Sequence, residues 1–178
     1  SHALDAWLRT GQRLPDALLR ALADGAPHDP AEWPALVRAF LRSHREHLIH
    51  RFAPYRALAE RAERVLAAAT DAGFVPVDGE HADAQLVEDL AVWYHLAWCG
   101  ETVRRGDPRV QELEAKASGY TAADRRTMLE IAADVLVGLV PRFRRLMGSG
   151  KVELSVTPWG HPIVPLMLDF GAARESIP

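Results

Sequence analysis

The hydrophobic period of this chain changes once, and the place where it changes constrains the fold more than anything else in the sequence. From Leu14 to Gly148 apolar residues recur at helical spacing. Over Lys151-Val152-Glu153-Leu154-Ser155-Val156-Thr157 they alternate with polar ones, and Pro158 ends the run. Alternation places Val152, Leu154 and Val156 on one face of an extended segment, so 151–157 reads as the one convincing β-strand of an otherwise helical chain. A single strand cannot satisfy its own backbone groups, and even an isolated hairpin is marginal in water. Its partner is therefore either a weak strand near Val75 or Val77, or chain outside this sequence. In the second case the 178 residues are an internal segment of a larger α/β domain.

The helical part, 14–148, carries its own punctuation. Pro15 suits a first helical position ahead of Leu18, Leu19 and Leu22, and Gly25 suits a stop. Asp29 caps the next helix with Pro30 at its first position, and Trp33, Leu36, Val37, Phe40, Leu41 and Leu48 continue it. Pro54 ends or kinks that helix and opens another, through Leu58, Ala62, Val65 and Leu66. Residues 73–84, with Gly, Pro and acid, read as a loop. Residues 85–99 (QLVEDLAVWYHLAWC) are apolar around much of the helix, the pattern of an element buried on most sides. Asp107-Pro108 starts a short helix. Thr121 with Asp124 resembles a capping box ahead of a long helix through Met128, Ile131, Val135, Leu136, Leu139 and Val140, which Pro141 should kink or divide.

Composition narrows the classes. Twenty-one basic residues against 24 acidic give a net charge of −3, which argues against a nucleic-acid partner. Almost all the basic charge is Arg, since Lys occurs only at 116 and 151. No apolar run is long enough for a transmembrane helix, and the N-terminus lacks the layout of a signal peptide, so no membrane partner is expected. Cys99 alone forbids an internal disulfide and leaves the cytoplasm as the default compartment.

Several groups could carry chemistry. His44, His47 and His50 lie three apart, which makes a metal pair geometrically feasible; the segment is not H-E-x-x-H, however, and solvated or capping histidines are the plainer reading. Cys99 in an apolar helix reads as an inert thiol. Glu88 reads as solvated, while Asp89 stays open. Trp93 and Trp98, five apart, do not share one narrow face; core packing is the default for both, and stacking on the apolar face of a sugar is the alternative. The strongest group is Glu153 with the following Trp159 and His161. Alternation sets Glu153 opposite Val152 and Leu154, and in α/β folds the loops after strands build the active site.

These last residues sit in a longer pattern. Residues 150–178, GKVELSVTPWGHPIVPLMLDFGAARESIP, resemble the second conserved region of glycoside hydrolase family 57, with Gly150, Val152, Glu153, Thr157, Pro158, Trp159, His161, Pro162, Pro165, Leu166, Asp169 and Arg174 all matching. EDLAVWYHLAWCGETVR (88–104) resembles the family's D-L-x-V-W-(F/Y)-x-L-A-W stretch. Residues 119–146 resemble its long helix before the second region, and FAPYRALAERA (52–62) also fits.

The resemblance implies a seven-stranded, TIM-like (β/α) barrel and a retaining enzyme acting on α-glucans. It implies one segment, 1–178, in which 14–148 is a helical region inserted between barrel strands and 150–178 is a barrel strand with its active-site loop. It implies a substrate-binding role for Glu153, with His161 and Trp159 lining the same cleft and Trp98 or Trp93 adding a stacking surface. The family's His-Gln-Pro motif is absent, and its Glu nucleophile and Asp acid/base are expected beyond Pro178. No catalytic residue, metal or cofactor is therefore expected in these residues, and the expected partners are an α-glucan and the remainder of the catalytic domain. A stand-alone helical binding module, and a metal-dependent hydrolase built on the histidine cluster, are the competing readings.

Overall fold

The computed structural model describes residues 2–68, 84–155, 168, 169 and 171. The chain divides into two compact units, Ser1–Gly138 and Leu139–Pro178.

In the first unit the helices are α1 (His2–Thr10), α2 (Ala17–Asp24), α3 (Trp33–Phe40), α4 (Ala53–Ala68), α5 (Ala84–Trp98), α6 (Glu101–Gly106), α7 (Pro108–Lys116) and the start of α8 (Ala122–Gly148). Their ends follow the capping residues. The Asp16 carboxylate accepts from Leu19 N at 2.9 Å and starts α2. Gly25 ends it at φ 89°, a conformation that costs an L-residue. Asp29 accepts from Ala31 N ahead of Pro30, opening a short 3-10 turn that leads into α3. The helix read through Leu48 instead stops at Phe40. The Tyr55 hydroxyl takes the Phe40 carbonyl at 2.8 Å, and His44 starts a five-residue π-turn, Arg45–Ile49. At α8 the capping box forms as read: Asp124 Oδ2 accepts from Thr121 N at 2.7 Å, and Thr121 Oγ1 accepts from Asp124 N at 3.3 Å.

α5 is the centre of this unit. It packs against α2, α3, α4 and the π-turn, and Leu86, Val87, Leu90, Ala91, Val92, Trp93, Leu96 and Ala97 are all buried on it. This is the outcome expected of a helix apolar over most of its circumference. Each large side chain removed from water contributes about 1.5–3 kcal/mol. Trp93 stacks on Tyr55 (centroids 6.3 Å, planes 14° apart) and lies 5.7 Å from Phe52. Burial pushes the Tyr55 phenol up to about 12.

In the second unit α8 runs on to Gly148, and Gly150 (φ 68°) follows. Two expectations are corrected here. Lys151–Ser155 is not a strand, and no strand occurs among the described residues. Alternation states only which side chains could share a face; a strand needs a ladder, and every regular element among the described residues is helical. Val75, Val77, Val156 and Thr157 lie outside the described residues, as does most of 73–84. Second, Pro141 does not divide α8, which is one helix through it. The ring removes one hydrogen bond, to the Val137 carbonyl, at a turn where Val137 is exposed and water can take the acceptor.

Candidate functional site

Trp98, the last residue of α5, is 62% exposed, the largest exposed aromatic surface among the described residues. What holds it is clear. A helix leaves its last carbonyls without partners, and a cation there is favourable. Arg104 fills that place: Nη2 donates to Leu96 O at 2.7 Å and to Cys99 O at 3.3 Å, and the guanidinium lies 4.5 Å from the Phe52 ring centroid. Arg104 also pairs with Glu114 of α7. On the adjoining surface Glu101 accepts from Arg51 at 2.9 Å and Arg105 at 2.8 Å, and these bonds, Arg51's first, hold its carboxyl below the usual range. Trp98 therefore projects from a helix end clamped by a buried cation. Cys99 beside it donates to His95 O, and burial pushes its thiol up, so it is a poor nucleophile.

Trp93 is 2% exposed and donates its indole N–H to Ala117 O at 2.7 Å. Its ring is core, with no face open to a ligand. Glu153 belongs to the second unit and is exposed. Trp159 and His161 lie outside the described residues.

The histidine cluster does not converge. His44 Nδ1 accepts from His47 N at 3.3 Å as the cap of the π-turn, the two rings stack at 4.4 Å, and His50 pairs with Glu46. Among the described residues no three His, Cys, Asp or Glu side chains come together as metal donors.

Buried charge marks what sequence reasoning missed. Glu88, read as solvated, instead pairs with buried Arg125 of α8 at 2.5 Å and reaches Ala26 N at 3.4 Å. The signal was its place one turn before Ala91 and Val92, both buried. Asp89 accepts from Gln85, Gly119 N and Tyr120 N, and so fixes the α7–α8 connection. These groups are structural. A separate concavity of about 680 Å³ lies between α2 and α3, with Arg13, Asp24, His28 and Glu32 at its edge; Trp93, Trp98 and Glu153 are not in its lining. No helix among the described residues is long and apolar enough to cross a membrane.

Comparison with known proteins bears on the residues rather than on this geometry. Neither a curated protein nor a solved structure matches the chain. The family model described as Glycosyl hydrolase family 57 matches residues 36–177, which runs from within α3 through α8 and takes in Trp98 and residues 150–177 of the motif. The protein is accordingly a glycoside hydrolase with a carbohydrate substrate, and this chain belongs to glycosyl hydrolase family 57.

Proposed function

We propose that the chain is the substrate-binding segment of a retaining glycoside hydrolase acting on α-glucans in the cytoplasm, and that it supplies neither the nucleophile nor the acid/base. The single observation that carries this reading is the family match over 36–177, which spans the Glu153-x-x-x-Thr157-Pro158-Trp159-x-His161-Pro162 motif. A retaining glycosidase uses two carboxyl groups about 5–5.5 Å apart, one attacking the anomeric carbon and one protonating the leaving oxygen. Both come from the remainder of the catalytic domain. Glu153 accepts hydrogen bonds from sugar hydroxyls, and charge-assisted bonds of this kind are about twice as strong as neutral ones. The family motif gives Trp159 and His161 a part in binding the same sugar. Trp98 offers a flat apolar ring to a glucose unit.

The test is α-glucan turnover by the protein translated from the complete reading frame. Glu153→Ala should lower kcat/KM by roughly 100-fold or more, the size expected when a charged partner of the sugar is removed, with the melting temperature unchanged. Unaltered kinetics would sink the placement of Glu153. His44→Ala should leave turnover intact; a large loss would restore the metal-dependent reading.

A further inference from the structure

The last three turns of α8 carry an arrangement that neither the family motif nor the proposed sugar contacts use. At about 100° per residue, Leu139, Val140, Phe143, Leu146 and Met147 fall within a sector about 120° wide and about 12 Å long. All five are exposed, between 39% and 56%. Arg142 stands about 40° outside one edge of the sector and Arg144 about 40° outside the other. No acidic residue occurs between Val135 and Val152, and neither Arg142 nor Arg144 has an ion-pair partner among the described residues. An apolar strip bordered on both sides by cations without an ion-pair partner among the described residues is half of an interface.

We infer that this sector seats the remainder of the catalytic domain, through an apolar surface that carries carboxylates along both margins. The inference rests on the reading that these residues are part of a larger domain, and it names the face by which they join it. Charge selects among occupants. A second copy would bring Arg142 and Arg144 against their own kind, and like charges across an interface are unfavourable. A lipid surface requires a strongly polar back to the helix. The back of this stretch is Pro141, Arg145 and Gly148, with one charge among them. Covering by folded polypeptide also explains how a stretch holding Pro141 and β-branched Val140 stays helical, since packing supplies what propensity does not.

The experiment compares melting temperatures of wild type, Phe143→Asp and Arg142→Glu/Arg144→Glu, in the protein from the complete reading frame and in the 178-residue chain. In the complete protein Phe143→Asp should lower Tm by about 5–10 °C, because it buries a charge against an apolar surface, and in the 178-residue chain by less than about 2 °C. The double Arg variant should lower Tm only in the complete protein, and less so in 1 M salt. If Phe143→Asp leaves no folded complete protein, Val140→Ser and amide exchange over 139–147 read the same contrast.

Equal effects in both proteins overturn the inference, as does a reading frame with no further sequence. It is also overturned if the 178-residue chain sediments as a dimer that Phe143→Asp dissociates, or if it binds phosphatidylserine vesicles in a way that Phe143→Asp abolishes. Turnover is a separate readout. A complete protein that is idle on α-glucan yet loses Tm with Phe143→Asp keeps the interface and sinks the substrate reading.

Discussion

The Asp89 carboxylate accepts the backbone N–H of Tyr120 at 2.9 Å, across 31 residues of sequence. With the second bond, from Gly119 N at 3.0 Å, one buried side chain on α5 holds the turn from which α8 starts. Asp89→Ala leaves two backbone donors without partners and removes one of the two bonds of the Gln85 amide, which keeps the Tyr120 carbonyl, so it should cost about 3 kcal/mol. Asp89→Asn keeps one acceptor and turns an N–H toward the other donor, and should cost about 1–2 kcal/mol. Urea unfolding midpoints for the two variants give the order directly; equal midpoints would mean that the carboxylate bonds contribute nothing.

Gly25 couples the end of α2 to the pair between half-buried Glu88 and buried Arg125. A Cβ at Gly25 would lie 2.6 Å from Glu88 Oε1 and 3.0 Å from Arg125 Nη2, and the backbone there has φ 89°. Gly25→Ala should therefore lower stability by about 2–3 kcal/mol, part strain and part displacement of the pair. In a Glu88→Ala background the closest of these contacts, to Glu88 Oε1, disappears, so the double variant should be about 1 kcal/mol more stable than the sum of the singles. Strict additivity would show that the close approach carries no energy.

The helical half of this protein was legible because its punctuation is local. Asp29, Asp107 and Thr121 each act within three residues, and each caps where the sequence places it, whereas α2 starts after Asp16 and not at Pro15. The strand was not legible, because Val152 and Leu154 state a preference and only a partner makes a ladder. Glu88 looks like a surface acid in sequence and Asp89 stays open, because their partners Arg125 and Tyr120 are 37 and 31 residues away and no local pattern names them. For the site, the 150–178 motif pointed to the family that matches, while Trp93 shows how little spacing alone decides between a core indole and a platform.

Stability should fall in two stages as the pH drops. Burial holds the His95 imidazole below its usual value, so the unfolded chain binds the proton more readily. The stability this group contributes is present above about pH 6.5 and is lost as the pH falls below it. For Asp107 the hydrogen bond from Arg109 leads in holding the carboxyl down. For Asp124 burial pulls upward, but bonds from Lys116 and Thr121 outweigh it. Both contribute stability that is present above about pH 4 and lost below it. Urea midpoints between pH 3 and 8 should show both stages. His95→Leu should flatten the first, and Asp107→Asn with Asp124→Asn should shallow the second; profiles that keep both stages would assign them to other groups.

Trp93 and Trp98 stand five residues apart on one helix, and their replacement should separate stability from binding. Trp93 is closed in by Tyr55 and Phe52 and bonded to Ala117 O, so Trp93→Ala should cost about 3–5 kcal/mol, the range for emptying a core aromatic site. Trp98 is 62% exposed, so Trp98→Ala should change stability by no more than about 0.5 kcal/mol. If the exposed indole is a platform for glucose rings, the same substitution should raise KM for a long α-glucan several-fold while leaving kcat near the wild-type value, because stacking binds ground and transition states alike. Trp98→Phe should restore part of the loss, since a smaller ring still offers a flat apolar face. An unchanged KM with Trp98→Ala would remove Trp98 from the substrate site and leave it an exposed aromatic on a well-clamped helix end.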